Sequence, residues 1–176
     1  LAAEFAHRVQ QALVGLPNSG KSTLFKTVAS TAVQTGELAG THSAYNECAV
    51  QIGLDEVRLV DLPSIGSLHD LAHDERVTLQ YLLWGDKRPP IAAHEPGRPP
   101  APFAPPDVII QVVDATALAR HLEFTLELSR LGRPMVIALN RMDEAREKGL
   151  YINPRALSER LGVPVVATVA HMGMGL

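Results

Sequence analysis

Gly15-Leu16-Pro17-Asn18-Ser19-Gly20-Lys21-Ser22 has glycine, glycine, lysine and a hydroxyl at the spacing of a phosphate-gripping loop, G-x-x-x-x-G-K-[ST]. The glycines let backbone N–H groups curl around a β-phosphate, and the start of a following helix adds partial positive charge there. Lys21 is expected to reach the β- and γ-phosphates, and the Ser22 hydroxyl to ligate Mg²⁺. Pro17, Asn18, Ser19 and Thr23 complete the nucleotide-contacting set expected of this stretch.

Three downstream segments carry matching chemistry. Asp61-Leu62-Pro63-Ser64 follows the apolar run 57–60, where a nucleoside triphosphatase needs a carboxylate near Mg²⁺. Asn140-Arg141-Met142-Asp143 follows the apolar run 135–139. An N-x-x-D at a strand end resembles the guanine-recognition motif of GTPases, in which the Asp carboxylate accepts from guanine N1–H and the 2-amino group. Adenine lacks that donor pair, so Asp143 would reject ATP by leaving its own charge unpaired, which disfavours an ATP-using kinase. Thr168-Val169-Ala170 lies where GTPases present a backbone N–H to guanine O6, and Val169 and Ala170 join the expected site. The order Lys21, Asp61, Asn140 to Asp143, Ala170 is that of a Ras-like GTPase.

These residues need a scaffold that brings strand ends together. The runs 108–113 and 135–139 are nearly continuously apolar, as parallel strands covered on both faces are, and 163–169 is a third candidate. Between the first two, 117–131 reads as a helix with Leu118, Leu122, Thr125, Leu126 and Ser129 on one face, stopped by Gly132. Asn153-Pro154 starts another helix, closed by Gly162. A strand at 10–14 and a helix at 21–29 frame the phosphate loop, and 48–52 with 57–60 read as a hairpin around 53–56. The alternation implies an α/β fold with a mostly parallel six-stranded sheet, one antiparallel edge strand and helices on both faces.

Composition fits one such domain over residues 1–176. With 46% hydrophobic and 5% aromatic residues, the core is aliphatic. Sixteen Lys+Arg against 19 Asp+Glu give a net charge of −3 and no basic block, which argues against nucleic acid as a partner. The longest apolar stretches fall far short of the roughly 20 residues needed to cross a bilayer, so this piece is expected to be soluble. The N-terminal residues read as a fragment edge or processed end. Cys48 is the lone cysteine, read as a small strand residue in a reducing compartment. Residues 89–106 hold eight of the 13 prolines and read as a loop inserted within the domain. His69 and His73, with Asp70 and Asp74, read as solvated surface rather than a metal site.

Further stretches narrow the match: Gly15 to Leu24 with Phe25, Asp61-Leu62-Pro63 with Ser67-Leu68, Val112-Val113-Asp114-Ala115-Thr116, residues 139–145 and residues 161–166. Together they resemble the N-terminal GTPase domain of the bacterial ferrous iron transport protein B family, from about Val9 to Leu176. The resemblance implies a domain on the cytoplasmic face of the inner membrane, followed in the full-length protein by a helical regulatory domain and a membrane permease for Fe²⁺. It implies a K⁺-activated GTPase, in which Asn18 and the backbone carbonyls at about Gly36 and Leu38 hold K⁺. A cation there would neutralise charge developing between the β- and γ-phosphates.

Three positions depart from that pattern. Ser64 stands where the family has glycine; its N–H can still meet a γ-phosphate, but its Cβ restricts the peptide rotation of a switch. The Mg²⁺-binding threonine aligns with His42, and a one-residue slip makes Thr41 the expected ligand. Ile65 replaces a water-orienting glutamine, so slow hydrolysis is predicted. The leading reading is GTP hydrolysis regulating iron uptake. An RNA- or ribosome-associated assembly GTPase and a diverged GTP/GDP-binding module with little turnover stay open as alternatives.

Overall fold

The computed structural model describes residues 9–34, 39–41, 45–53, 55–69, 75–85 and 105–176, with backbone alone over 31–34 and 39–41. A strand β1 (Val9–Gly15) leads through the phosphate loop into helix α1 (Lys21–Gln34). Then come β2 (Ala39–Thr41), the hairpin β3 (Asn46–Ile52) and β4 (Asp55–Asp61), and α2 (Glu75–Trp84). The second half runs β5 (Val108–Asp114), α3 (Leu118–Ser129), β6 (Met135–Asn140), α4 (Met142–Glu147), α5 (Pro154–Leu161) and β7 (Val165–Ala167).

The sheet order is β2-β3-β4-β1-β5-β6-β7. The strands β4, β1, β5, β6 and β7 run parallel, and β3 pairs antiparallel with β4. These are the six expected strands of a mixed sheet; the three-residue β2 adds a short rung outside β3.

Alternation along each strand explains why both faces are covered. In β1, Ala12 and Val14 join a core with Phe124 and Leu128 of α3 and Tyr81 and Leu82 of α2. Leu13 between them faces the opposite way, onto Leu24 and Phe25 of α1. The same split separates Val60 from Leu59, Val113 from Val112, and Leu139 from Ala138. A period of two with apolar residues on both sides is what a sheet between two helical layers requires. Cys48 is 2% exposed and packs in the α1 layer as a small strand residue.

Several boundaries differ from the sequence reading. The hairpin is tighter, because Ile52 pairs with Asp55 and places Asp55 and Glu56 in β4 rather than in the turn. Gly53, at φ +65°, supplies the reversal. Helix α1 continues five residues past Ala29 to Gln34. The segment 163–169 forms only the short β7, at the sheet edge where Val166 and Ala167 are exposed.

The inward face of α3 is also rotated from the expected one. His121, Phe124, Thr125 and Leu128 are buried, whereas Leu126 is 58% exposed. An i, i+3, i+4, i+7 stripe beginning on a histidine was invisible to a count of aliphatic residues. The helix starts at Leu118, after a single 3₁₀ turn over Ala115–Ala117. The α5 signals fall as predicted: the Asn153 side chain accepts the Ala156 N–H at 3.1 Å, and Gly162 closes the helix at φ +69°.

Candidate nucleotide-binding site

The parallel register brings the C-terminal ends of four strands to one sheet edge. Leu13 pairs with Asp61, Gly15 with Val112, and Asp114 with Asn140, so the candidate residues of β1, β4, β5 and β6 share that edge. Open α/β sheets bind ligands there, where strand order reverses about the central strand.

The loop leaving β1 is a tight structure. Ser19 N–H donates to Leu16 O at 3.2 Å, and Leu24 N–H returns to Gly20 O at 3.0 Å as α1 begins. Pro17 and Asn18 are exposed at its crest, with Asn18 in the left-handed region at φ +67°. Ser22 and Thr23 are exposed on the first turn of α1. A Cβ on Gly15 would lie 2.9 Å from the Val112 carbonyl, so β5 permits only glycine-like approach there.

Lys21 is 5% exposed, and its ammonium donates to the Asp61 carboxylate and, at 2.5 Å, to Leu62 O. The phosphate-reaching cation and the carboxylate expected at Mg²⁺ therefore meet at one point. Such a buried pair is costly to break singly, by about 3–5 kcal/mol, because the survivor is left uncompensated.

The segment after Asp61 is held on three sides. Ile65 N–H donates to Gly15 O at 3.2 Å, Thr78 Oγ1 donates to Pro63 O at 2.7 Å, and Gly66 N–H donates to Glu75 at 2.7 Å. Glu127 of α3 then accepts from Ser67 Oγ at 3.0 Å and from Leu68 N–H at 2.6 Å. Ser64 is half-buried within this span. The Ile65 side chain is fully buried in the core.

Asn140 joins the two halves of the site. Its Nδ2 donates to Ser19 O at 3.1 Å, while its Oδ1 accepts the Ala170 N–H at 3.0 Å. The Ala170 N–H expected at the base is thus engaged by Asn140, and the Val169 N–H donates to Met174 O at 3.0 Å. Arg141 adopts the left-handed conformation, φ +61°, and its guanidinium pairs with Asp114 at 3.1 Å. Asp143 lies in the first turn of α4, with Oδ2 3.6 Å from His171 Nε2. Its Oδ1 is buried and has no hydrogen-bond partner among the described residues.

Asp114 and Glu127 were not singled out from sequence as site residues. Asp114 ends the strand next to Asn140, a position readable only once the sheet order is known. Thr41 lies in β2, whereas Gly36, Leu38, His42, His73, Asp70 and Asp74 lie outside the described residues. Among the described residues no group of three or more His, Cys, Asp or Glu could hold a metal ion, and no helix is long and apolar enough to cross a membrane.

His121 backs this edge from α3. It is 4% exposed, its Nδ1 accepts the Asp114 N–H at 3.4 Å, and its pKa is lowered from 6.5 by burial, with Arg120 and Arg141 lowering it further and Asp114 opposing. Burial and the accepted Asp114 N–H both favour the neutral imidazole in the fold. Below about pH 6.5 the unfolded chain takes up a proton that the folded one resists, so stability present above that pH is lost on acidification. Thermal melts at about pH 7.5 and 5.5 should show a larger loss for the wild type than for His121→Asn; equal losses would refute this.

The fold and the strand-edge constellation define a Ras-like P-loop GTPase domain. The family model for ferrous iron transport protein B matches residues 9–92 and 103–176, interrupted only within the proline-rich segment. The chain is 36% identical over 168 residues to the Fe(2+) transporter FeoB of Escherichia coli strain K12, covering 93% of this chain and 19% of that relative. It superposes on the FeoB G-domain of Methanococcus jannaschii with a TM-score of 0.72 and 32% identity, over 96% of this chain and 90% of that one. An S. thermophilus NFeoB mutant bound to GDP gives 0.70 and 32%, over 95% and 58%. The chain belongs to the ferrous iron transport protein B family. It spans about a fifth of the length of the curated relatives it matches.

Proposed function

We propose that these residues form a guanine-nucleotide switch that hydrolyses GTP slowly with Mg²⁺ and K⁺ and regulates ferrous iron transport. The observation that carries the reading is the Asp143 Oδ1 atom, buried and without a partner among the described residues, on a loop that Asn140 ties to the phosphate loop. That carboxylate suits the paired donors of guanine. The GDP bound to the S. thermophilus relative supports the same base.

Lys21, on the first turn of α1 and tied to Asp61 and Leu62 O, is the cation for phosphate, exchanging those acceptors for phosphate oxygens when nucleotide binds. Mg²⁺ prefers hard oxygen ligands, and Ser22, Asp61 and Thr41 supply two hydroxyls and a carboxylate for it. Asn18, exposed at the loop crest, is the side chain for K⁺, with the Gly36 and Leu38 carbonyls. When bound, these cations neutralise negative charge that develops on the phosphates. With Ile65 buried, no glutamine orients water from that position, which supports slow turnover.

In the whole protein we place this domain, residues 1–176 with 89–106 as an inserted loop, on the cytoplasmic face of the bacterial inner membrane. Its partners there are the protein's own helical regulatory domain and permease domain, not nucleic acid. The test is GTP turnover with Mg²⁺ in KCl and in NaCl at equal ionic strength. Turnover should rise several-fold in K⁺, and Asn18→Ala should lose the rise. Tight GDP binding without K⁺-stimulated turnover would reduce the domain to a binding module, and single-turnover rates matching fast GTPases would refute the role given to Ile65.

A further inference from the structure

We propose that Asp114 is a positioning residue for base recognition, acting through Arg141 on the loop that carries Asn140 and Asp143. The inference rests on the guanine reading above and deepens it. Asp114 ends β5, and the register sets it beside Asn140, the last residue of β6. It is 6% exposed, and its two carboxylate oxygens do different things. Oδ1 accepts the Thr116 N–H at 2.7 Å and caps the 3₁₀ turn; Oδ2 holds the Arg141 guanidinium at 3.1 Å.

Arg141 sits at φ +61°, a conformation that a residue with a Cβ adopts only when its surroundings hold it there. This residue lies between Asn140 and Asp143 and is the N-cap of α4, so its backbone sets the direction in which Asp143 leaves β6. Among the described residues the other carboxylate near its guanidinium is Glu144, 3.8 Å away and well exposed, which leaves Asp114 as the stronger restraint. The guanidinium also stands close to the phosphate loop: a Cβ on Gly20 would lie 3.9 Å from Arg141 Nε. Asp114 thus braces the base loop against the strand beside it, without being needed at the nucleotide itself.

Two variants break this pair from opposite sides. Asp114→Asn keeps an oxygen for the Thr116 cap and removes the negative charge that faces Arg141. Arg141→Gln leaves the cap untouched at a position one-third exposed, so it answers the question even where Asp114→Asn folds poorly. Affinities for GDP and IDP are measured by calorimetry, with melting temperatures alongside. IDP lacks the 2-amino group, so the GDP-to-IDP ratio reads the hydrogen bond that an oriented Asp143 makes to it.

Each variant should bind GDP about tenfold more weakly, the worth of one charge-assisted hydrogen bond. The GDP-to-IDP ratio should fall at least about threefold, and the double variant should be no worse than the weaker single one, as for residues acting as a unit. A lowered melting temperature with an unchanged ratio would show a purely structural role and overturn the inference. A wild-type protein with no preference for GDP over ADP would instead overturn the guanine reading, and this inference with it.

Discussion

Gly20→Ala is expected to abolish measurable GDP binding and to lower the melting temperature by about 10 °C. Gly20 lies at φ +88°, where a Cβ costs about 1–2 kcal/mol in backbone strain. The new methyl would also stand 2.2 Å from Asn140 Nδ2, which real structures do not tolerate. Asn140 cannot swing aside cheaply, because its amide is bonded to Ser19 O on one side and the Ala170 N–H on the other. Losing those two bonds adds about 1 kcal/mol each, for about 3 kcal/mol in all, and a chain of this size loses about 2–4 °C per kcal/mol. Binding suffers more than stability does, since the displaced Asn140 is what couples the phosphate loop to the base loop. Calorimetry with GDP and a thermal melt check both halves. A variant that binds GDP within about threefold of wild type would mean that the Asn140 tie does not organise the site.

The same residue marks how far a single sequence could be read. The phosphate loop, Asp61 and N-x-x-D stood out because each obeys a spacing rule imposed by local backbone geometry, and the strands beneath them are uninterrupted apolar runs. The ties that make these pieces one site are not local. Asn140 reaches Ser19 across 121 positions, and Glu127 reaches Ser67 across 60. Nothing in residue type distinguishes such contacts from an ordinary polar surface until the sheet order is known. The misread face of α3 has a related origin: β5 offers partners to His121, with the Asp114 N–H donating to its Nδ1 and Gln111 Nε2 to its carbonyl, while Thr125 Oγ1 donates to that same carbonyl within the helix. Polar residues satisfied inside a core look like surface residues in a one-dimensional pattern. The Ala170 N–H shows the same limit: the motif order reads it as a donor for guanine O6, and only the fold shows that it also lies within reach of Asn140 Oδ1.

Asp143→Asn is expected to exchange the base preference, weakening GDP by about 100-fold and making XDP the better ligand. Guanine presents two donors along this edge, N1–H and the 2-amino group, and a carboxylate offers two acceptors to meet them. A carboxamide offers one acceptor and one donor, so against guanine one hydrogen bond is lost and two donors face each other. Charge-assisted hydrogen bonds contribute about 1.5–3 kcal/mol, and one such loss plus the mismatch gives about 3 kcal/mol, hence the factor of 100. Xanthine replaces the 2-amino group with a carbonyl, which the new amide donor satisfies. The fold should tolerate the change. Asp143 is in the first turn of α4, where a carboxylate contributes about 0.3–1 kcal/mol against the helix dipole, so the melting temperature should fall by only about 2 °C. His171, 3.6 Å from the other oxygen, keeps a polar neighbour at a half-exposed position, where such contacts matter little. Competition of XDP against fluorescent GDP, run on both proteins, decides the matter. An Asp143→Asn variant that still prefers GDP would mean that the buried Oδ1 does not face the base, and guanine selectivity would have to come from elsewhere on the strand edge.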